Sequence, residues 1–128
     1  MTNGNFFLRM FPENAPVEDD IKPYICYTLD DGLIRAIIID TMIPDCHYGG
    51  LTDEVAEWLE KKIIEYPNKP TLVFTHHPPF TTGLAAMDEG FAQADRLAAI
   101  LKKHEKMSVF AAAICTRYLY LHGRECPV

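Results

Sequence analysis

Residues 71–83 read TLVFTHHPPFTTG, and this stretch decides the fold. Its first five residues are apolar or β-branched, too few for a helix, and lie between Pro70 and the Pro78-Pro79 pair. That pattern predicts a short buried strand. His76 and His77 follow it directly. A strand end is a rigid platform, and two prolines stiffen the exit, so imidazoles placed there lose little entropy on being held. Successive strand side chains face opposite sides, so both rings address one metal ion only if the strand has already ended. The residues alone leave two readings open. Either one imidazole ligates a metal while a neighbouring group fixes its tautomer, or the two are hydrogen-bonded loop histidines.

Upstream of this strand, Thr52 offers an N-cap, with Asp53 and Glu54 at the positive end of the helix dipole. Val55, Trp58, Leu59 and Ile63 recur on one helical face, and Pro67 and Pro70 end the helix. Earlier still, residues 24–29 and 33–39 form two β-rich runs joined through Asp30-Asp31-Gly32, a hairpin signal. Ile37-Ile38-Ile39 lacks alternation, which predicts cover on both faces of that strand. Downstream, Ala94, Leu97, Ala98 and Leu101 predict a second amphipathic helix over 91–104. Residues 107–115 read as another buried strand, 117–122 as a further one, and 5–11 as a short helix. The order β-β-α-β-α-β predicts a single α/β layered domain over residues 1–128.

Other candidate residues have quieter explanations. Asp40 closes the 37–39 strand, where a carboxylate serves a metal or, as favoured here, a turn. Asp45, His47 and Tyr48 sit in a Gly-rich loop and read as surface residues. Asp88 and Glu89 read as solvated loop charges or the wall of a substrate pocket, and His104 as a partner of its own helix's C-terminal dipole. Cys115, Cys126, His122 and His76 have the chemistry of a tetrahedral zinc set but match no established zinc spacing.

Composition sets outer bounds. The 128 residues, 48% hydrophobic and 23% charged, carry a net charge of −6. That charge disfavours a nucleic-acid partner held by bulk electrostatics. It does not disfavour a small anion, because a bound cation reverses the local field. The longest apolar run, 109–115, is far below membrane-spanning length, and 6–11 is too short for the core of a secretory signal. The four dispersed cysteines contain no CxxC pair and are expected to be reduced thiols in a cytoplasmic protein.

Several segments together resemble the calcineurin-like metallophosphoesterases, closest to the bacterial class III cyclic-nucleotide phosphodiesterases and glycerophosphodiesterases. The residues that carry the resemblance are 33–40 (LIRAIIID), Gly49-Gly50-Leu51-Thr52 leading into Glu57-Trp58-Leu59, and 69–80 (KPTLVFTHHPPF). Thr82-Gly83, Met87-Asp88 and the 94–104 helix continue it in order. The resemblance implies a mixed sheet with flanking helices, part of an α/β-β/α sandwich. It implies two divalent metals (Fe, Mn or Zn) that hold a phosphodiester and activate a hydroxide. His76 inherits the role of metal ligand, and His77, Thr82 and Met87 those of pocket or supporting residues.

The family's Asp-x-His, Gly-Asp and Gly-Asn-His-Asp motifs are absent, and Cys115-Thr116-Arg117 stands where Gly-His-x-His is expected. The expectation is therefore a C-terminal part of the catalytic domain, with no catalytic residue of its own and no hydrolysis by this chain alone. Residues 116–128 (TRYLYLHGRECPV) have no counterpart and are expected to come from truncation, a shifted frame or a gene-model error. The alternative is a non-catalytic, homo-oligomerising module, because half a sandwich exposes a sheet face.

Overall fold

The computed structural model describes residues 9–10, 13, 17–81, 83, 85, 88 and 90–104, and the backbone of a strand at 107–111. The Asp-Gly signal makes its hairpin. β1 (Tyr27–Asp30) runs antiparallel to β2 (Arg35–Ile38), with Tyr27 opposite Ile38 and Asp30 opposite Arg35. The turn is built by carboxylates. Asp30 accepts the Gly32 N–H at 2.8 Å, and Asp31 accepts those of Leu33 and Ile34 at 2.8 and 2.7 Å. Gly32 takes φ +93°, a left-handed conformation open to glycine at little cost.

After β2 come a two-residue strand, β3 (Gly49–Gly50), and helix α1 (Asp53–Glu65). Thr52 caps α1 as its sequence predicts, its hydroxyl accepting the Val55 N–H at 3.4 Å. The chain returns through β4 (Thr71–Thr75), a second short strand β5 (Phe91–Ala92), helix α2 (Ala94–Leu101) and β6 (Met107–Ala111). The main sheet has the order β1-β2-β4-β6, with β2, β4 and β6 mutually parallel, so it is mixed. The second helix is shorter than predicted because Phe91 and Ala92 pair in parallel with Gly49 and Gly50 instead. The segment 107–111 is a strand as expected. The proposed elements at 117–122 and most of 5–11 lie outside the described residues.

Arg35 and Ile37 from β2, Ile39 just past its end, and Thr71, Val73 and Thr75 from β4 are buried on one face of the sheet. With Val55, Leu59 and Ile63 of α1 and Leu97 and Ile100 of α2, the apolar members of this set form the core. At about 1.5–3 kcal/mol for each fully buried aliphatic side chain, this layer is the main source of stability. The opposite face, with Ala36, Ile38, Leu72 and Phe74, is only partly buried among the described residues. The expectation that both faces of Ile37-Ile38-Ile39 are covered is met fully on the face of Ile37 and Ile39 and in part on that of Ile38. The α/β class, the mixed sheet and the flanking helices agree with part of a metallophosphoesterase sandwich. No described helix is long and apolar enough to cross a membrane.

Candidate functional site

Because β2 and β4 are parallel, the residues that follow them emerge at the same edge of the sheet. Asp40 and Thr41 leave β2 there, and His76 and His77 leave β4. Ligand sites of open α/β sheets form at this carboxyl edge, where loops diverge above the strand ends.

The two histidines are in different environments. His76 is exposed, whereas His77 is partly buried, their rings meeting edge to face with centroids 4.8 Å apart. Nδ1 of His77 lies 2.9 Å from the Thr41 hydroxyl, which also accepts the His77 backbone N–H at 3.4 Å. The Thr75 hydroxyl donates to the His77 carbonyl at 3.0 Å, closing the strand end. Gly49 lies directly against this ring. A Cβ there would sit 2.7 Å from Nδ1 and closer still to the Cβ and Cγ of His77. Burial, with the neighbouring His76 as a lesser cause, pushes the His77 imidazole below its ordinary value, which favours the neutral ring.

Asp40 takes the turn role. Its carboxylate accepts the Ile25 N–H at 3.1 Å and the Met42 N–H at 2.9 Å, tying two loops to the end of β2. Its own N–H donates to Cys26 Sγ at 3.2 Å. Cys26 is a buried free thiol whose pKa burial pushes up to about 12. Cys46, by contrast, is disulfide-bonded, which corrects the expectation of four reduced thiols. Pairing follows the distance between Cα positions in the fold, which spacing along the sequence does not reveal.

Beside the histidines, Pro78, Pro79, Phe80, Asp88, Phe91 and Ala94 line a cavity of about 220 Å³. Asp88 also accepts the Gly83 N–H at 2.9 Å, so this carboxylate both shapes its loop and forms part of the wall. Thr82 and Met87, expected near a substrate, lie outside the described residues, as do Cys115, His122 and Cys126 of the zinc alternative. His104 is buried and meets both helix ends: its backbone N–H donates to the Leu101 carbonyl of α2, and its Nε2 lies 3.2 Å from the Tyr66 carbonyl at the end of α1.

Among the described residues, no group of three or more His, Cys, Asp or Glu side chains converges into a set able to hold a metal ion. His76 is exposed, Asp40 is turned onto backbone N–H groups, and the Cys26 thiol is held in its neutral form. These donors do not fit a complete metal centre, which needs several deprotonated ligands around one point. Thr41 and Gly49 are the members of the site that the sequence reading missed. A β-branched hydroxyl residue just past a strand, and a Gly-Gly pair ahead of a helix cap, were the available signals.

No protein-family model matches the chain. A probable glycerophosphodiester phosphodiesterase of Arcobacter nitrofigilis is 38% identical over 90 residues, which are 69% of this chain and 33% of that protein. The chain is homologous to the metallophosphoesterases. A glycerophosphodiester phosphodiesterase of Enterobacter lignolyticus is 42% identical over 62 residues, 48% of this chain and 22% of that protein. A 3′,5′-cyclic-nucleotide phosphodiesterase of Nostoc is 30% identical over 74 residues, 57% of this chain and 28% of that protein. The chain thus spans a third or less of the length of these metallophosphoesterase relatives.

Proposed function

We propose that this chain is the part of a metal-dependent phosphodiesterase that carries the His76-His77 edge, acting on a glycerophosphodiester or a cyclic nucleotide. The observation that carries this reading is the 38% identity over 90 residues to a glycerophosphodiesterase. The emergence of His76 and His77 at the carboxyl edge of parallel strands supports it. In this reading His76 is one ligand of a divalent metal (Fe, Mn or Zn), whose chemistry is to polarise the phosphoryl group and activate water. His77, Thr82 and Met87 belong to the substrate side. Residues 1–128 form one domain, with 116–128 a tail outside the shared pattern.

Among the described residues no three donors converge around His76, so the remaining ligands must come from elsewhere, and we propose that the 128-residue chain alone is inactive. The test is hydrolysis of bis(p-nitrophenyl) phosphate and of a cyclic nucleotide by the purified chain with added Mn²⁺. The expected result is no turnover above that of Mn²⁺ alone. Sustained turnover abolished by His76→Ala would overturn the proposal of inactivity and establish the ligand role.

The partly exposed face of Ala36, Ile38, Leu72 and Phe74 favours a second reading, a non-catalytic module that covers this face by homo-oligomerisation. Sedimentation at high protein concentration separates the two. A stable monomer counts against the module.

A further inference from the structure

The Thr41 hydroxyl is buried, and its surroundings determine where its proton goes. Thr41 is only 2% exposed. Among the described residues its Oγ1 has two partners, the His77 backbone N–H at 3.4 Å and His77 Nδ1 at 2.9 Å. The backbone N–H can only donate, so the oxygen must accept it. If Nδ1 also carried a proton, two donors would converge on Oγ1 and the threonine's own O–H would be buried without an acceptor. Leaving a buried donor unsatisfied is costly. With Nδ1 bare, the hydroxyl donates to it and every group is satisfied. The proton of the neutral ring then resides on Nε2. Gly49 leaves room for this arrangement, since a Cβ there would collide with His77 at its Cβ, Cγ and Nδ1.

We infer that Thr41 is a positioning residue that fixes His77 as its Nε2–H tautomer, so that His77 serves as a neutral hydrogen-bond donor to a phosphoryl oxygen and not as a metal ligand. Neither nitrogen is then free to bind a metal, because Nδ1 is engaged by Thr41 and Nε2 is protonated. Nε2 has no partner among the described residues and belongs to the ring beside the exposed His76. An N–H donor fixed before the ligand arrives loses little entropy when it binds an anion. The ligand half of this inference rests on the phosphodiesterase reading, whereas the tautomer half rests on the hydrogen bonds alone.

Long-range ¹H–¹⁵N correlation spectra of the imidazoles, recorded on the full chain without metal at about pH 8, where ordinary imidazoles are neutral, report which ring nitrogen carries the proton. The expected result is a bare Nδ1 and a protonated Nε2 for His77, with His76 as a mixture of tautomers. Thr41→Ser should keep the His77 pattern, and Thr41→Val should lose it while the amide spectrum stays dispersed. A protonated Nδ1 in the wild-type chain, or an unchanged tautomer in Thr41→Val, would overturn the positioning role. Should Thr41→Val not fold, the wild-type and Thr41→Ser spectra still decide the tautomer. Titrated inorganic phosphate should shift His77 Nε2 and bind about fivefold to tenfold more weakly to Thr41→Val, the loss expected of one hydrogen bond. Phosphate that leaves Nε2 unshifted would overturn the donor role. These readouts need no metal and no turnover, so a failed activity assay does not decide them.

Discussion

At the N-terminal end of the β2–β4 pair, Arg35 is buried with its guanidinium on the Lys62 carbonyl, 3.0 Å from the Glu65 carboxylate and 4.9 Å above the Tyr66 ring. At the C-terminal end, Thr41 is equally buried, with its hydroxyl on His77. Both edges hold buried polar groups at the mouths of the same strands, but they use them differently. Around Arg35, and around His104 on the Tyr66 carbonyl, the side chains complete the C-terminus of α1, whose last carbonyls have no partner within the helix. Around Thr41, the bonds orient a ring and leave one of its nitrogens without a described partner. A buried charge is therefore a poor guide to function when its bonds finish a helix. A neutral residue that holds another side chain in one orientation is the better guide.

The largest test of this contrast is at the helix-capping edge. Arg35→Ala removes a buried cation from a carbonyl, a carboxylate and an aromatic face at once, and should cost about 3 kcal/mol. Urea denaturation gives the figure. Arg35→Met keeps the apolar volume and should cost about half as much. Neither variant should alter the His77 tautomer in the imidazole spectrum, and a change there would break the separation of the two edges. At the other edge, Gly49→Ala pushes a methyl group into the His77 ring. It should cost about 1–3 kcal/mol as an overpacking change. Unlike the Arg35 variants, it should also disturb the bond from Thr41 to Nδ1, which the same spectrum reads.

The difference between the edges also explains what was legible in the sequence. The strand at Thr71–Thr75, the Asp-Gly hairpin and the Thr52 cap were all visible, because each depends on residues close together in the chain. The place of His76 and His77 at a strand end was visible for the same reason. The contacts of Thr41 and Gly49 with His77 were not, because they join residues 36 and 28 positions apart. They depend on β2 and β4 lying parallel side by side, which no local pattern states. The second role of His104 was hidden in the same way: its backbone N–H donates to the Leu101 carbonyl of its own helix, but its ring lies 3.2 Å from the Tyr66 carbonyl at the end of α1, 38 positions away. Phe91 and Ala92 were assigned to a helix by their neighbours, until pairing with two glycines drew them into a strand.

The smallest expected effect is a pH dependence confined to the capping edge. Glu18 is partly buried and bonded to Lys62 at 2.6 Å, within the group that includes Glu65 and, through it, Arg35. Burial alone would raise its pKa, but the bonds from Lys62 and from the Thr28 hydroxyl outweigh it and hold the carboxyl below its ordinary value of 4.5. The native state therefore binds fewer protons than the unfolded chain between the lowered value and 4.5. The stability Glu18 contributes is fully present above about pH 4.5, and it is lost as pH falls through the lowered native value. Glu18→Gln should flatten that part of the acid side of a stability-versus-pH curve measured by urea midpoints, and leave the curve unchanged near neutrality apart from a uniform offset. The His77 tautomer should not respond to this substitution. If it did, the two edges would be electrostatically coupled through the sheet, and the capping cluster would have to be counted as part of the site.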